Sequence, residues 1–281
     1  MPCGRLFVVA TPLGNLEDVS PRAVRVLGEV DLIAAEDTRH SRRLLRHYAI
    51  SKPLISYHEH NEPERAVELI RRLNDGRDVA LISDAGTPCI SDPGYRVVRA
   101  AQEAGIEVVS VPGPSAVVAA LSVSGLPADR YTFHGFFPRH AGAAYTLLSE
   151  LGRLGGTHVF FEAPSRLIAT LRHVIEDLAE AEVCVARELT KMFEQVTTGS
   201  PQALFEQYCG SRIRGECVLV IHVPAARIRE SEYSSEQLRE HVQERLRKGL
   251  SQRDAVRAVA EALGVSRNRV YAAAVEKNGA D

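Results

Sequence analysis

The sequence predicts two successive α/β domains followed by a small all-helical module. Three observations carry this. Up to residue 124, short apolar runs alternate with helical periodicities; after Leu126-Pro127 the alternation restarts; from Glu236 onward only helical patterning remains. A chain of 281 residues has room for two domains of about 100–200 residues each and an appendage. The boundaries fall at 1–126, 127–226 and 235–281.

In the first domain, residues 5–10 (RLFVVA), 31–36 (DLIAAE), 54–57, 78–83 (DVALIS) and 106–111 (IEVVSV) read as strands. Their unbroken apolar character is that of a mainly parallel sheet covered on both faces. Helices lie between and after them, at 21–28, 41–48, 62–73, 95–104 and 115–124. The third carries Ala66, Val67, Leu69, Ile70 and Leu73 at helical spacing, with Asn61 in the N-cap position. Gly105 follows the fourth, where a left-handed residue ends a helix.

In the second domain, 131–136, 158–162 (HVFFE), 183–187 (VCVAR) and 217–223 (CVLVIHV) read as strands, with helices near 143–151, 165–178 and 201–208. The last strand is the most apolar run of the chain and belongs at the centre of its sheet. Residues 225–234 (AARIRESEYS) are polar and read as a linker. Beyond them Ala255, Val256, Val259, Ala260 and Leu263 mark one helix face. Gly264 interrupts, Ser266 caps, and Val270, Tyr271 and Ala274 begin the next helix, the shape of a helix-turn-helix.

Composition narrows the class. At 45% hydrophobic and 25% charged, the chain is neither disordered nor fibrous. Its 34 basic and 36 acidic residues, net charge −2, give no whole-molecule pull on nucleic acid. That average hides two basic stretches. Arg39, Arg42, Arg43 and Arg46 fall on one predicted helix, and residues 245–271 hold seven Arg/Lys against two acids, among them Arg253, Arg267 and Arg269. Both are candidate phosphate-tracking surfaces. Five cysteines without a CxxC pair suit a reducing compartment. No apolar run approaches the ~18–20 residues of a membrane span, and no signal-peptide pattern opens the chain. The expectation is cytoplasmic, with no membrane partner.

Open α/β sheets bind ligands in the loops after strand C-termini. Three such loops are dense in Gly, Pro and small polar residues: residues 11–15 (TPLGN), 83–94 (SDAGTPCISDPG) and 112–116 (PGPSA). No GxxxxGK[ST] and no strand-following GxGxxG is present, so a triphosphate or dinucleotide site is not expected. The loops offer backbone N–H groups, small hydroxyls and one well-placed carboxylate, Asp84, beside Ala85-Gly86. That set suits an amino-acid or nucleoside moiety. His58-Glu59-His60 lacks the further ligands of a metal site, so no metal is expected.

ATPLGNLEDVS at 10–20, AEDTRHS at 35–41, SDAGTPCISDPG at 83–94, VPGPSA at 111–116 and ARELTK at 186–191 together resemble the ribosomal RNA small subunit methyltransferase I family, of tetrapyrrole-methylase fold. The resemblance implies a cofactor cleft between the two α/β domains that holds S-adenosyl-L-methionine. It implies 2′-O-methylation of a cytidine ribose in the decoding region of small-subunit ribosomal RNA, as free RNA or assembled subunit, by a homodimer. By position, Leu13, Gly14 and Asn15, then Asp84, Ala85, Gly86 and Thr87, then Ser115 and Ala116 correspond to the donor-binding loops. Phe161, Glu162, Glu188 and Leu189 correspond to the covering wall. Where relatives carry a basic loop, this chain reads His140-Ala141-Gly142-Ala143-Ala144.

A ribose hydroxyl is a weak acid, so methyl transfer to it is helped by a general base or a nearby cation. Glu36, Asp37, Arg39 and Lys191 are the first candidates, with His58, Asn61, Arg187 and Glu188 behind them. The terminal helices, with Arg253, Arg267 and Arg269, and Arg42, Arg43 and Arg46 are the expected RNA contacts. The competing readings are a same-fold methylase of a tetrapyrrole or other small molecule, and a nucleic-acid-binding regulator with a degenerate ligand site.

Overall fold

The computed structural model describes residues 3–224, 233–263, 265 and 267–275. Most of the expected linker, together with Gly264 and Ser266, lies outside the described residues.

Strands β1 (Leu6–Val9), β2 (Leu32–Ala35), β3 (Leu54–Ser56), β4 (Val79–Ile82) and β5 (Val108–Val111) form a fully parallel sheet in the order β3-β2-β4-β1-β5. Successive strand residues point to opposite faces, so each strand feeds two cores. Leu6, Leu32, Ala34, Val79 and Leu81 meet helices α3 (Glu62–Asn74) and α4 (Tyr95–Glu103) through Leu69, Leu73, Val97 and Ala101. Phe7, Val9, Ile33, Ala80 and Ile82 meet α1 (Pro21–Glu29) and α2 (Thr38–His47) through Ala23, Val26, Leu27 and Leu45. Each large apolar side chain so buried contributes roughly 1.5–3 kcal/mol.

Two local expectations change. Helix α2 begins at Thr38 rather than 41, because the Asp37 carboxylate accepts the Arg39 N–H at 2.7 Å and starts the helix there. Asn61 precedes α3 without capping it; its side-chain oxygen accepts the His58 N–H at 2.9 Å instead. Gly105 does end α4 in the left-handed region, at φ +70°.

The second sheet, β6 (Tyr131–Phe136), β7 (Gly156–Glu162), β8 (Glu182–Arg187), β9 (Gln195–Gly199) and β10 (Cys217–Val223), runs β6-β7-β10-β8-β9. Only β6 and β7 are parallel; the other pairs are antiparallel. The apolar β10 is central, as its composition predicts. Strand β9 is the element sequence reading missed: QVTTG is a half-buried edge with no apolar run to announce it. Helices α6 (Ala141–Leu154), α7 (Leu167–Asp177) and α8 (Pro201–Tyr208) cover one face. Residues 141–144, read as loop, are the first turn of α6.

Helix α5 (Ala116–Ser124) covers the other face, with Val117, Ala120 and Leu121 against Val159, Cys184, Ala186, Val218 and Val220. It precedes residue 126 in the chain yet packs on the second sheet, so it ties the two halves together. The terminal segment folds as three helices, α9 (Ser235–Arg247), α10 (Gln252–Leu263) and α11 (Arg267–Val275), around their own core of Leu238, Val242, Val256, Val259 and Val270. Ser234 and Gln237 close a capping box at its start.

Candidate active site

The ends of β1, β4 and β5 release the three loops singled out above, and hydrogen bonds lock those loops to one another and to the end of β2. Thr11 and Gly86 exchange N–H···O bonds of 2.8 and 3.0 Å, which requires Gly86 at φ +85°. The Thr11 hydroxyl donates to the Ser83 carbonyl at 3.1 Å, and the Thr87 hydroxyl donates to Pro114 at 3.1 Å. Asp84 accepts the Asp37 N–H at 3.0 Å, while its own N–H faces Glu36 Oε2 at 3.4 Å. The strand ends and loops therefore behave as one rigid rim.

The opposite wall comes from the second sheet. Lys191 Nζ lies 2.9 Å from Glu188 Oε1 and 2.9 Å from Glu216 Oε2. Its stem runs so close to the first loop that a Cβ on Gly14 would stand 2.4 Å from Lys191 Cγ. Burial opposes its charge, but the bonds to Glu216 and Glu188 hold Lys191 protonated and its pKa above the usual lysine value. Glu188 is also partly buried, yet Lys191 and the Glu216 N–H hold its carboxyl below the usual range.

Backbone strain gathers on both walls. Cys89 and Ser91 (φ 72° and 64°) on one side, Glu188 and Thr190 (52° and 64°) on the other, are left-handed without being glycine. Each such residue costs on the order of 1–3 kcal/mol and persists only where its surroundings over-determine it.

Between the walls is a cavity of about 350 Å³ lined by Leu13, Glu36, Asp84, Ala85, Asp92, Ala116, Phe136, Phe161, Glu162 and Val218, among others. A second cavity shares Leu13, Asp84, Ala85 and Glu216 and adds Gly14, His40, Arg43 and Lys191. Burial pushes the Glu36 carboxyl up. Asp92 is pushed up to about 6, chiefly by burial, with the charges of Glu36 and Asp84 adding.

Of the residues predicted from sequence, the cleft brings together Leu13, Gly14, Glu36, Asp84, Ala85, Ala116, Phe161, Glu162 and Lys191. The others stand behind it. Asn15 caps a short turn at Leu16–Asp18, Gly86 and Thr87 bind the loops together, and Ser115 precedes α5. Leu189 is buried beneath α5. Glu162 reaches the cavity, but its oxygens accept from the Ala163 N–H, Arg166 and the Thr170 hydroxyl. Asp37 is a helix cap, and Arg187 donates to Gln195 at 2.9 Å and to the Arg214 carbonyl at 3.2 Å. His58 bonds to Asn61; no group of three potential metal ligands occurs among the described residues.

Arg39, Arg42, Arg43 and Arg46 are exposed on α2. Arg253 and Arg267 border a groove between α10 and α11 that also holds Tyr271. Arg269 differs: its guanidinium donates to the Tyr233 carbonyl at 2.7 Å and serves the module's interior.

Sequence reading passed over Asp92, Phe136 and Glu216 as site residues. Asp92 was within reach, inside the 83–94 loop; Glu216 had no local signal, since only the pairing of β10 with β8 brings it to Lys191.

Residues 5–204 match the family model for tetrapyrrole (corrin/porphyrin) methylases, and residues 237–278 match that for the RsmI C-terminal HTH domain. The chain is 46% identical to ribosomal RNA small subunit methyltransferase I of Pseudomonas aeruginosa, over 99% of each chain. It is 44% identical to the Synechocystis protein of that name, over 97% of this chain and 98% of the relative. Among solved structures, uroporphyrin-III-C-methyltransferase of Thermus thermophilus complexed with S-adenosyl homocysteine superposes with TM-score 0.54 at 19% identity, over 78% of this chain and 97% of that one. Diphthine synthase superposes with TM-score 0.61 at 15% identity, over 78% and 90%. At such identities these two likenesses concern the fold.

Proposed function

We propose the function from the fact that the chain belongs to the ribosomal RNA small subunit methyltransferase I family, a branch of the tetrapyrrole methylases. It is a methyltransferase whose methyl donor is S-adenosyl-L-methionine. On this reading the acceptor is small-subunit ribosomal RNA, and the atom methylated is a cytidine 2′-oxygen in the decoding region. The observation that carries the reading is likeness along nearly the whole chain, terminal module included. That extent disfavours both the small-molecule methylase and the regulator.

The cleft fits the donor chemically. Glu36, Asp84 and Asp92 make it acidic, which suits a ligand carrying a sulfonium and an ammonium. Asp84 is placed for the ammonium or for ribose hydroxyls. Gly14, Ala85 and Ala116 carry too little side chain to keep a ligand off the backbone, and Leu13 and Phe161 offer apolar walls for a base. Asn15, Gly86, Thr87, Ser115, Glu188 and Leu189 hold this shape from behind, and Glu162 holds β7 to Arg166 and Thr170. The donor supplies an activated methyl group; the protein supplies position, and rigid positioning of two reactants contributes much of such a rate.

Glu36 is the sequence-predicted catalytic carboxylate that lines the cavity, with its Oε2 facing the Asp84 N–H. Asp37 and Lys191 act on this reading through position, by starting α2 and by clamping the two walls. Arg39, Arg42, Arg43 and Arg46 continue outward from the rim as a phosphate track, joined by Arg253 and Arg267. The reading includes a homodimer acting in the cytoplasm; among the described residues no helix is long and apolar enough to cross a membrane.

The test offers methyl-labelled S-adenosyl-L-methionine together with small ribosomal subunits, naked ribosomal RNA or a tetrapyrrole. Label in ribosomal RNA is expected. Label in the tetrapyrrole alone would contradict the reading.

A further inference from the structure

We propose, resting on the ribose-methylation reading above, that Phe193, flanked by Met192, is a stacking platform for the base of the acceptor nucleotide. Strands β8 and β9 form a hairpin whose last pair is Arg187 with Gln195, so residues 188–194 are its loop. Met192 and Phe193 stand on that loop at 91% and 70% exposure. Burial does not hold them in place; bonds within the loop do. The Lys191 N–H donates to the Glu188 carbonyl and the Glu194 N–H to the Lys191 carbonyl, each at 3.0 Å. The Thr190 N–H donates to the Glu194 carboxylate, and Glu188 and Thr190 keep left-handed backbone. Strain of this kind persists where the surroundings over-determine it, and here it presents two large apolar side chains to water.

The place of this tip names its occupant. Lys191, two residues before Phe193, lines the cleft with Gly14, His40 and Arg43. Two residues span at most about 7 Å, so the tip stands beside the cleft mouth. A ribose whose 2′-oxygen faces the donor carries its base on the adjoining carbon, which puts the base at that mouth. The charge there suits RNA. Residues 211–216 are bonded to the hairpin loop: the Glu188 N–H donates to the Glu216 carbonyl at 2.9 Å, the Glu216 N–H to Glu188 Oε1 at 3.1 Å, and Arg187 to the Arg214 carbonyl at 3.2 Å. They carry exposed Arg212 and Arg214. The acids of both loops are engaged, Glu188 and Glu216 by Lys191 and Glu194 by the Thr190 N–H. An aromatic face beside arginines receives a single strand, with a base on the ring and phosphates on the guanidinium groups.

Phe193 is on this account a positioning residue: it fixes the base, and through the base the 2′-oxygen, in front of the methyl group. Stacking tolerates any base, since each has a π-face, so the platform sets the plane of the base and leaves its identity to other groups. Stacking also neutralises no phosphate. It adds to affinity without adding to salt dependence.

The experiment compares Phe193→Ala, Phe193→Leu and Phe193→Trp with the unaltered full chain. It measures KM and kcat for methylation of small ribosomal subunits at several salt concentrations, with calorimetric donor binding, thermal melts and sedimentation. Phe193→Ala is expected to raise the KM for subunits about 5- to 150-fold. Its donor affinity, melting temperature and salt slope should stay as they were. Phe193→Leu should behave like Phe193→Ala, and Phe193→Trp should restore the KM. The natural chain has no tryptophan, so Phe193→Trp also carries a lone fluorophore, which a short cytidine-containing single-stranded RNA should quench. Rescue by Phe193→Leu as complete as by Phe193→Trp, or a fluorophore left unquenched by that RNA, would overturn the proposal. Dissociation of an oligomer in Phe193→Ala would assign the tip to an interface between copies and overturn it too. Failure of the unaltered protein to label RNA would overturn the functional reading with it; an unchanged KM in Phe193→Ala, beside normal labelling by the unaltered protein, would overturn this assignment alone.

Discussion

Asp92 is a carboxylate whose burial at the cavity wall works against its charge. Its folded-state pKa of about 6 stands above the ordinary 3.8, chiefly because burial disfavours the charge. A raised acid favours the fold only while protonated. Asp92 therefore weakens the fold increasingly as pH rises through about 6 and not at all below about 4. Asp92→Asn is expected to stabilise the protein at neutral pH by about 1–2 kcal/mol, after discounting for partial exposure. The gain should fade in thermal melts as the pH drops below about 6 and vanish near 4. A gain independent of pH would contradict the burial of this carboxylate. Other residue-scale facts were legible in sequence only by type. Asp84 could be picked out as a carboxylate beside Ala85-Gly86 in a glycine-rich loop, but the contact of Gly14 with Lys191, 177 positions apart, belongs to tertiary structure.

At the scale of elements, continuous apolar runs identified all five strands of the first sheet because both faces of that sheet are covered. The same rule failed for β9, whose Gln195, Thr197 and Thr198 lie at an edge where pairing rather than burial makes the strand. It misled about α5 differently: an evenly apolar helix gave no face to orient, and its packing on the second sheet follows from the strands of that sheet. On the exposed side of helix α2, Arg42 and Arg46 border a shallow pocket with Lys52. Replacing both arginines by Glu should weaken RNA binding and lower the slope of log affinity against log salt by roughly 1.5–2, the share of two phosphate contacts. Donor affinity should stay as it was. An unchanged salt slope would remove α2 from the RNA surface.

For the whole molecule, a near-neutral charge is the sum of an acidic cleft, an arginine-bearing α2 and a basic terminal module with its own core. The two α/β halves and the helical appendage were readable from where the pattern reset, and the donor loops from three glycine-rich turns on one sheet edge. The far wall was legible only through the family resemblance, which pointed to Phe161 and Glu162. Composition and spacing could not show it, because β8, β10 and the segments after them meet the first domain only when the chain is folded. Removing residues 235–281 should leave donor binding intact and reduce methylation of small ribosomal subunits. Loss of donor binding would place part of the cleft in that module. Nucleoside analysis of the labelled RNA separates ribose methylation from base methylation. Digestion of labelled small-subunit RNA to nucleosides should return the label as 2′-O-methylcytidine; label on a base, or on the ribose of a nucleoside other than cytidine, would contradict the account.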